Sequence, residues 1–239
     1  MTLLSGETDV FSEAGDGRCA VAFLARRRYP SRTVGDEAVA GVMASLSRLA
    51  EEGWRLSVAE MFGRSAHPSA YDTGAAHDVD LAGVFEAPDT ASALTGSVAL
   101  EAAGWDRLFS TEWLIGPREF EPVTGSDAAP EAHRWGFLAF WEWNDAWQAA
   151  TPQQRHEYDL ECDVAFDADL RTGINIAGRH RLDWAGGWHH LGVWEVPAFP
   201  VVEEAMRVHE RVADFKFTTS RHYAGRLTSI ADFLKEPPR

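Results

Sequence analysis

"GVFEAP" at residues 83–88 and "GVWEVP" at residues 192–197 are nearly the same word, and the reason for the repetition decides the fold. Laying Gly83 on Gly192 brings Val84, Glu86 and Pro88 onto Val193, Glu195 and Pro197. The same alignment, without a gap, carries Glu101 onto Glu210 and Gly116 onto Gly225. A match that keeps a strand, a proline break, a helix and a further strand in phase is the mark of an internal duplication.

Outward from the two words, each copy has the same element order. In the first, CAVAFLA (19–25) is a continuous apolar strand. Val39, Val42, Met43, Leu46 and Leu49 recur at helical spacing and predict a helix over 36–52, stopped by Gly53. WRLSVAEMF (54–62) alternates as a strand does, and the Gly-, Ser-, His- and Pro-rich stretch to 76 reads as a loop. DVDLAGVFEA (78–87) is a strand ended by Pro88, Asp89 or Thr90 can cap the next helix, and FSTEWLIG (109–116) is a strand again.

A linker rich in Pro, Gly, Asp and Ala (117–133) leads to the second copy, which opens with the strand RWGFLAFWEW (134–143). Thr151, Pro152 and Gln154 supply an N-cap, a first-turn proline and a capping box. Beyond them two periods compete. Tyr158, Leu160, Cys162, Val164 and Phe166 alternate, whereas Tyr158, Cys162, Ala165, Phe166 and Leu170 make a helical stripe, and the capping box favours the helix. INIAGRHRLDW (174–184) and GWHHLGVWEV (187–196) form a hairpin, Pro197 and Pro200 open a helix, and FTTSRHYAG (217–225) is the last strand. Each βαββαβ unit, at about 18–118 and 134–227, leaves one sheet face uncovered, and the other copy covers it. The expected fold class is α+β: tandem ferredoxin-like repeats forming an α+β barrel within one chain.

Composition excludes several partners. The net charge of −15 over 239 residues repels nucleic acid and anionic membrane, and no apolar run is long enough for a bilayer span. Two cysteines give no disulfide framework, and the acidic start has no secretory pattern, so a reducing cytoplasm is expected. Ten tryptophans, several of them in WGFLAFWEWNDAW (135–147), suit an aromatic-lined pocket for a small-molecule substrate.

Several stretches resemble the chlorite dismutase and coproheme decarboxylase superfamily. WQAATPQQR (147–155) is similar to its Trp-x-x-x-x-Pro-x-x-Arg start of the haem-side helix. AMRVHE (205–210) and HYAGRL (222–227) are similar to its last helix and strand, and DVDLAGVFEAPDTASAL (78–94) with WLIGPREF (113–120) to its first half. The resemblance implies a tandem ferredoxin-like barrel binding haem in its second half, and homo-oligomers, pentamers among them. It places Cys162 where the family has its axial histidine, and Asn175 where it has a distal Arg or Gln.

The implied function is a haem-binding oxidoreductase acting on a small molecule, divergent from both namesakes. Cys162 is then the candidate ligand of the haem iron, with Trp147 beside it at the start of the helix. Glu161 and Asp163 oppose a thiolate there, while iron would supply compensating charge. His156 is the fallback, and helical geometry forbids both residues from facing one iron. The catalytic candidates are Asn175, Arg179 and His190. An asparagine amide orients a bound species but does not stabilise an anion as a guanidinium does, which argues against chlorite decomposition. Arg179 suits a carboxylate, and His190, on the face of Trp188 and Trp194, suits acid–base work near His180 and Asp183. Two further functions fit the same residues: a cofactor-independent barrel enzyme (isomerase, cyclase or monooxygenase) on an aromatic or polyketide-like substrate, and a non-catalytic small-molecule binding protein. No P-loop, CxxC, HExxH or nucleophile elbow is present.

Overall fold

The first strand, β1 (Cys19–Arg27), is apolar along most of its length because both of its faces are buried. Cys19, Val21, Phe23 and Ala25 pack beneath helices, while Ala20, Ala22 and Leu24 face a second core enclosed by the sheet. A strand covered on both sides reads as a continuous run instead of an alternation. The computed structural model describes residues 17–28, 32–74, 76–125, 133–182, 187–212 and 214–236. Asp183, Trp184 and the turn of the expected hairpin lie outside these residues, as does part of the linker.

After β1 come α1 (Arg32–Glu51), α2 (Val58–Met61), β2 (Ser69–Asp72), β3 (Leu81–Ala87) and α3 (Thr90–Leu100). A widened turn at Glu101–Trp105 leads to α4 (Asp106–Leu108) and β4 (Phe109–Pro117). The second copy follows as β5 (Trp135–Trp143), α5 (Asp145–Ala149), α6 (Pro152–Arg171), β6 (Asn175–Arg181), β7 (His190–Val196), α7 (Phe199–Arg211), α8 (Asp214–Phe217), β8 (Thr218–Ser229) and α9 (Ile230–Lys235).

The strands lie in the order β4-β1-β3-β2-β8-β5-β7-β6, so the arrangement of β1 to β4 recurs in β5 to β8. The two equivalent four-stranded halves join edge to edge in one eight-stranded sheet. At one seam Ser69–Asp72 of β2 pairs with Arg226–Ser229 of β8. At the other, the chain leaving β4 bridges to β6, with Arg118 opposite His180 and Val123 opposite Ile176. The Glu119 N–H donates to the Arg179 carbonyl there at 2.7 Å. Each half thus satisfies the edge strand of the other, and the sheet closes into the expected α+β barrel.

Gly116 and Gly225, superposed by the internal repeat, stand at the two seams. A Cβ at Gly116 would lie 1.5 Å from the Arg181 carbonyl oxygen, and one at Gly225 2.8 Å from that of Asp72. The close approach of two backbones is what glycine permits here.

The capping box at Thr151 forms, with the Gln154 N–H donating to Thr151 Oγ1 at 3.2 Å, and residues 158–170 are helical. The strand expected over 54–62 is not there. Arg55 makes a single bridge to Glu86, and the chain turns into α2. Ser57 and Glu60 explain it: the Glu60 N–H donates to Ser57 Oγ at 3.2 Å, and Glu60 accepts from the Leu56 N–H at 2.6 Å. This local cap outweighs a short alternating pattern. The strand itself, β2, lies in the stretch expected to be loop. Among the described residues no helix is long and apolar enough to cross a membrane.

Candidate functional site

Alternation along β5 sends Leu138 and Phe140 into the barrel, and Phe137, Ala139, Trp141 and Trp143 toward α6 and α7. On this helix-facing side Trp143 stacks on Trp147, with ring centroids 3.9 Å apart, and Trp141 stacks on His190 at 4.0 Å. Cys162, on α6, is buried among Trp147, Tyr158 and Phe217. Arg179 lies over Phe120 and donates to Glu119 at 2.6 Å, and Nε2 of His190 stands 3.8 Å from the same carboxylate. Of the residues singled out from sequence, the fold gathers Cys162, Trp147, Arg179 and His190 on the helix-facing side of the second half of the sheet. His156 is exposed on α6.

Asn175 is not with them. Strict alternation would put Asn175 and Arg179 on one face, but the pairing of β6 with β7 slips between Ile176 and Gly178, where Gly178 has φ of 125°. The extra residue of this bulge reverses the face of everything beyond it. Ile176 and Arg179 therefore look toward the helices, and Asn175 shares the opposite face with Glu195. Its amide donates to Glu195 at 3.3 Å and accepts from the Gly125 N–H at 3.0 Å.

A buried ionic chain fills the space between α6, α7 and α8. His209 contacts Asp169 at 2.9 Å through Nε2 and Asp214 at 3.0 Å through Nδ1, and Tyr158 donates to Asp214. Burial alone would depress the His209 imidazole, but hydrogen bonds and charge from Asp169 and Asp214 lift it to about 9. Burial likewise pushes Asp169 up, against the pull of His209. The result is an imidazolium held between two carboxylates.

These residues do not fit haem at Cys162. The cavity there, lined by Trp141, Trp143, Tyr158, Cys162, Phe166 and Arg179 among others, holds about 40 Å³, and its neighbour beside His209 about 50 Å³. Pockets for cofactors and drug-sized ligands occupy roughly 300–1,000 Å³. The donor chemistry is equally unsuitable. Burial, then the Asp214 charge, push the Cys162 thiol far above its ordinary value, with Asp159 and Asp163 adding to the effect. A thiol held neutral first by burial and then by nearby carboxylates is a poor source of the thiolate that ligates iron.

A cavity of ligand size lies instead at the β2–β8 seam, with a volume of about 690 Å³. Trp135, Phe137 and Phe199 form apolar walls, and Asp72, His77, His222 and Arg226 supply the polar groups. Both halves build it, the first through the loop after β2. That loop is tied down by the Ala224 N–H, which donates to His77 Nε2 at 3.0 Å, so the proton of a neutral His77 ring sits on Nδ1. His222 packs on Phe137 at 4.9 Å between ring centroids and borders both this cavity and the small one beside His209. Burial pushes its imidazole below the ordinary value, Asp214 opposing and the charged His209 reinforcing the shift. His222 is therefore a neutral base at neutral pH, and His77 an oriented donor.

None of these four polar residues was among the sequence candidates. Asp72 falls in the stretch expected to be loop and His77 at its end, where no periodicity points to either. A signal existed for two of them: His222, Ala224 and Arg226 alternate with Tyr223 and Gly225, which puts them on one face of β8.

The chain matches no known family model and no curated protein. Solved structures do match it. A doubly substituted chlorite dismutase from Candidatus Nitrospira defluvii superposes with a TM-score of 0.73 at 11% identity, covering 93% of this chain and 96% of that one. The imidazole complex of chlorite dismutase from the same organism gives 0.72 at 12%, covering 93% and 95%. The cyanide complex of a singly substituted variant gives 0.66 at 13%, again covering 93% and 95%. With the helices outside, the closed eight-stranded sheet and the repeated strand order in place, this chain has the chlorite dismutase fold.

Proposed function

We propose that this chain binds a small aromatic organic molecule in the seam cavity and acts on it by acid–base chemistry, as a cofactor-independent enzyme of the barrel class. The observation that carries the reading is a cavity of about 690 Å³ ending on a neutral imidazole, while the Cys162 neighbourhood is filled. His222 takes a proton from the ligand, and His77, its tautomer set by the Ala224 N–H, donates through Nδ1. Trp135, Phe137 and Phe199 exclude water from one face of the ligand.

A second reading keeps haem but moves it. The seam cavity has the volume for a flat macrocycle, and His222 is an uncharged nitrogen donor within it. Titration with haemin separates the two. The first reading expects no stable Soret band in the purified protein or after haemin addition, and equal behaviour of wild type and Cys162→Ser. A Soret band altered by His222→Ala would replace it with the second reading. A band altered by Cys162→Ser would overturn both.

The acid–base reading also has a pH signature. Because His222 must be neutral and its pKa is depressed, turnover should persist below pH 6.5 and fall only as the pH drops through the lowered value. An acid limb above that point would argue for another base. His222→Gln should reduce turnover by about 10²–10⁴ with ligand affinity little changed. Equal losses of affinity and turnover would point to a binding protein without catalysis.

A further inference from the structure

The seam cavity carries one carboxylate, Asp72, and one guanidinium, Arg226. Arg226 stands at its rim, exposed, and its guanidinium makes no ion pair among the described residues. The neighbouring arginine on the same strand shows the contrast, since Arg221 is held by Asp78 at 2.7 Å. Asp72, across the β2–β8 ladder from Arg226, accepts a hydrogen bond from the Gly74 N–H at 2.8 Å. The Asp72 carboxylate lies beyond ion-pair distance, so the N–H donors of the guanidinium stay open beside an apolar cavity of about 690 Å³.

The walls define the rest of the ligand. Trp135 and Phe199 pack at 5.9 Å between ring centroids, Phe137 continues the wall toward His222, and Ala224 and Gly225 leave the floor flat. Flat apolar surfaces with one cation at the mouth suit a planar, multi-ring molecule that ends in an acid. We propose that the ligand class is an aromatic carboxylate, its rings between Trp135, Phe137 and Phe199 and its carboxylate on Arg226. A guanidinium offers two parallel N–H donors to such a group, which a lysine in its place would not. The inference rests on the assignment of the seam cavity as the ligand site and adds the charge of the ligand.

The test uses anthracene-2-carboxylate and its uncharged amide as probes, with binding to the full chain followed by quenching of tryptophan fluorescence. The expected result is at least tenfold tighter binding of the carboxylate, a preference that shrinks with added salt. Arg226→Gln should abolish the preference and leave amide affinity within about twofold, because the side chain is exposed and removes no packing. Phe199→Ala should weaken both probes alike. Equal affinity of the two probes, or a carboxylate preference that survives Arg226→Gln, overturns the charge assignment and leaves the cavity assignment standing. No binding of either probe overturns both.

Discussion

The His209→Ala variant is expected to unfold with roughly 3–5 kcal/mol less free energy than the wild type, as found when one partner of a buried ion pair is removed. The imidazole is 3% exposed and sits between Asp169, 1% exposed, and Asp214. Without it Asp169 has no cation beside it, and α7 loses its polar ties to α6 and α8. The pH dependence has a definite sign. His209 is raised from 6.5 to about 9, so its contribution is complete below pH 6.5 and is lost as the pH rises through about 9. Across that window the unfolded chain has released a proton that the folded chain keeps, and stability should fall by up to about 1.4 kcal/mol per pH unit. Urea unfolding at a series of pH values checks both statements. His209→Gln, which can keep hydrogen bonds but no charge, should flatten the slope. A slope unchanged in that variant would mean that another group titrates.

Gly116→Ala should cost at least roughly 3 kcal/mol, the upper end for overpacking, because the added carbon meets backbone and not a movable side chain. It would fall 1.5 Å from the Arg181 carbonyl oxygen, so β4 and β6 must part. Gly192→Ala is the control. It is a strand glycine from the same repeat, its nearest neighbour would be Trp194 Nε1 at 3.7 Å, and its effect should stay within about 0.5 kcal/mol. Denaturation midpoints of the two variants decide the matter. Equal midpoints would show that the seam between β4 and β6 is loose enough to yield.

The repeat explains why these two glycines differ although both belong to a conserved-looking pattern within the chain. Gly116 matches Gly225, and both occupy seams, whereas Gly192 matches Gly83, whose added carbon would strike the Phe23 ring at 2.3 Å. Pseudo-equivalent positions share backbone geometry but not the side chains that pack on them. The same divergence concerns the seam cavity, which is built at the β2–β8 junction and draws His77 from the first half, whereas the resemblance implied a pocket in the second.

Sequence by itself determined the duplication, the order of strands and helices, and the choice of helix over strand after Thr151. All three follow from local chemistry: a cap, a proline, or a period that is the same wherever the segment ends up. It misplaced β2 because the short alternation over 54–62 is weaker than the Ser57–Glu60 cap that sits inside it. Tertiary structure decided everything that depends on which face a residue occupies beyond an irregularity, or on what packs around it. The bulge before Gly178 parted Asn175 from Arg179, although their spacing along a regular strand would have joined them. Cys162 stands at the position expected of a ligand, yet only packing reveals that aromatic rings and carboxylates surround it. The cavity was hardest to read, since an empty volume between His77, Phe199 and Arg226 is made by residues far apart in the chain, and no periodicity in any one segment encodes a space between segments.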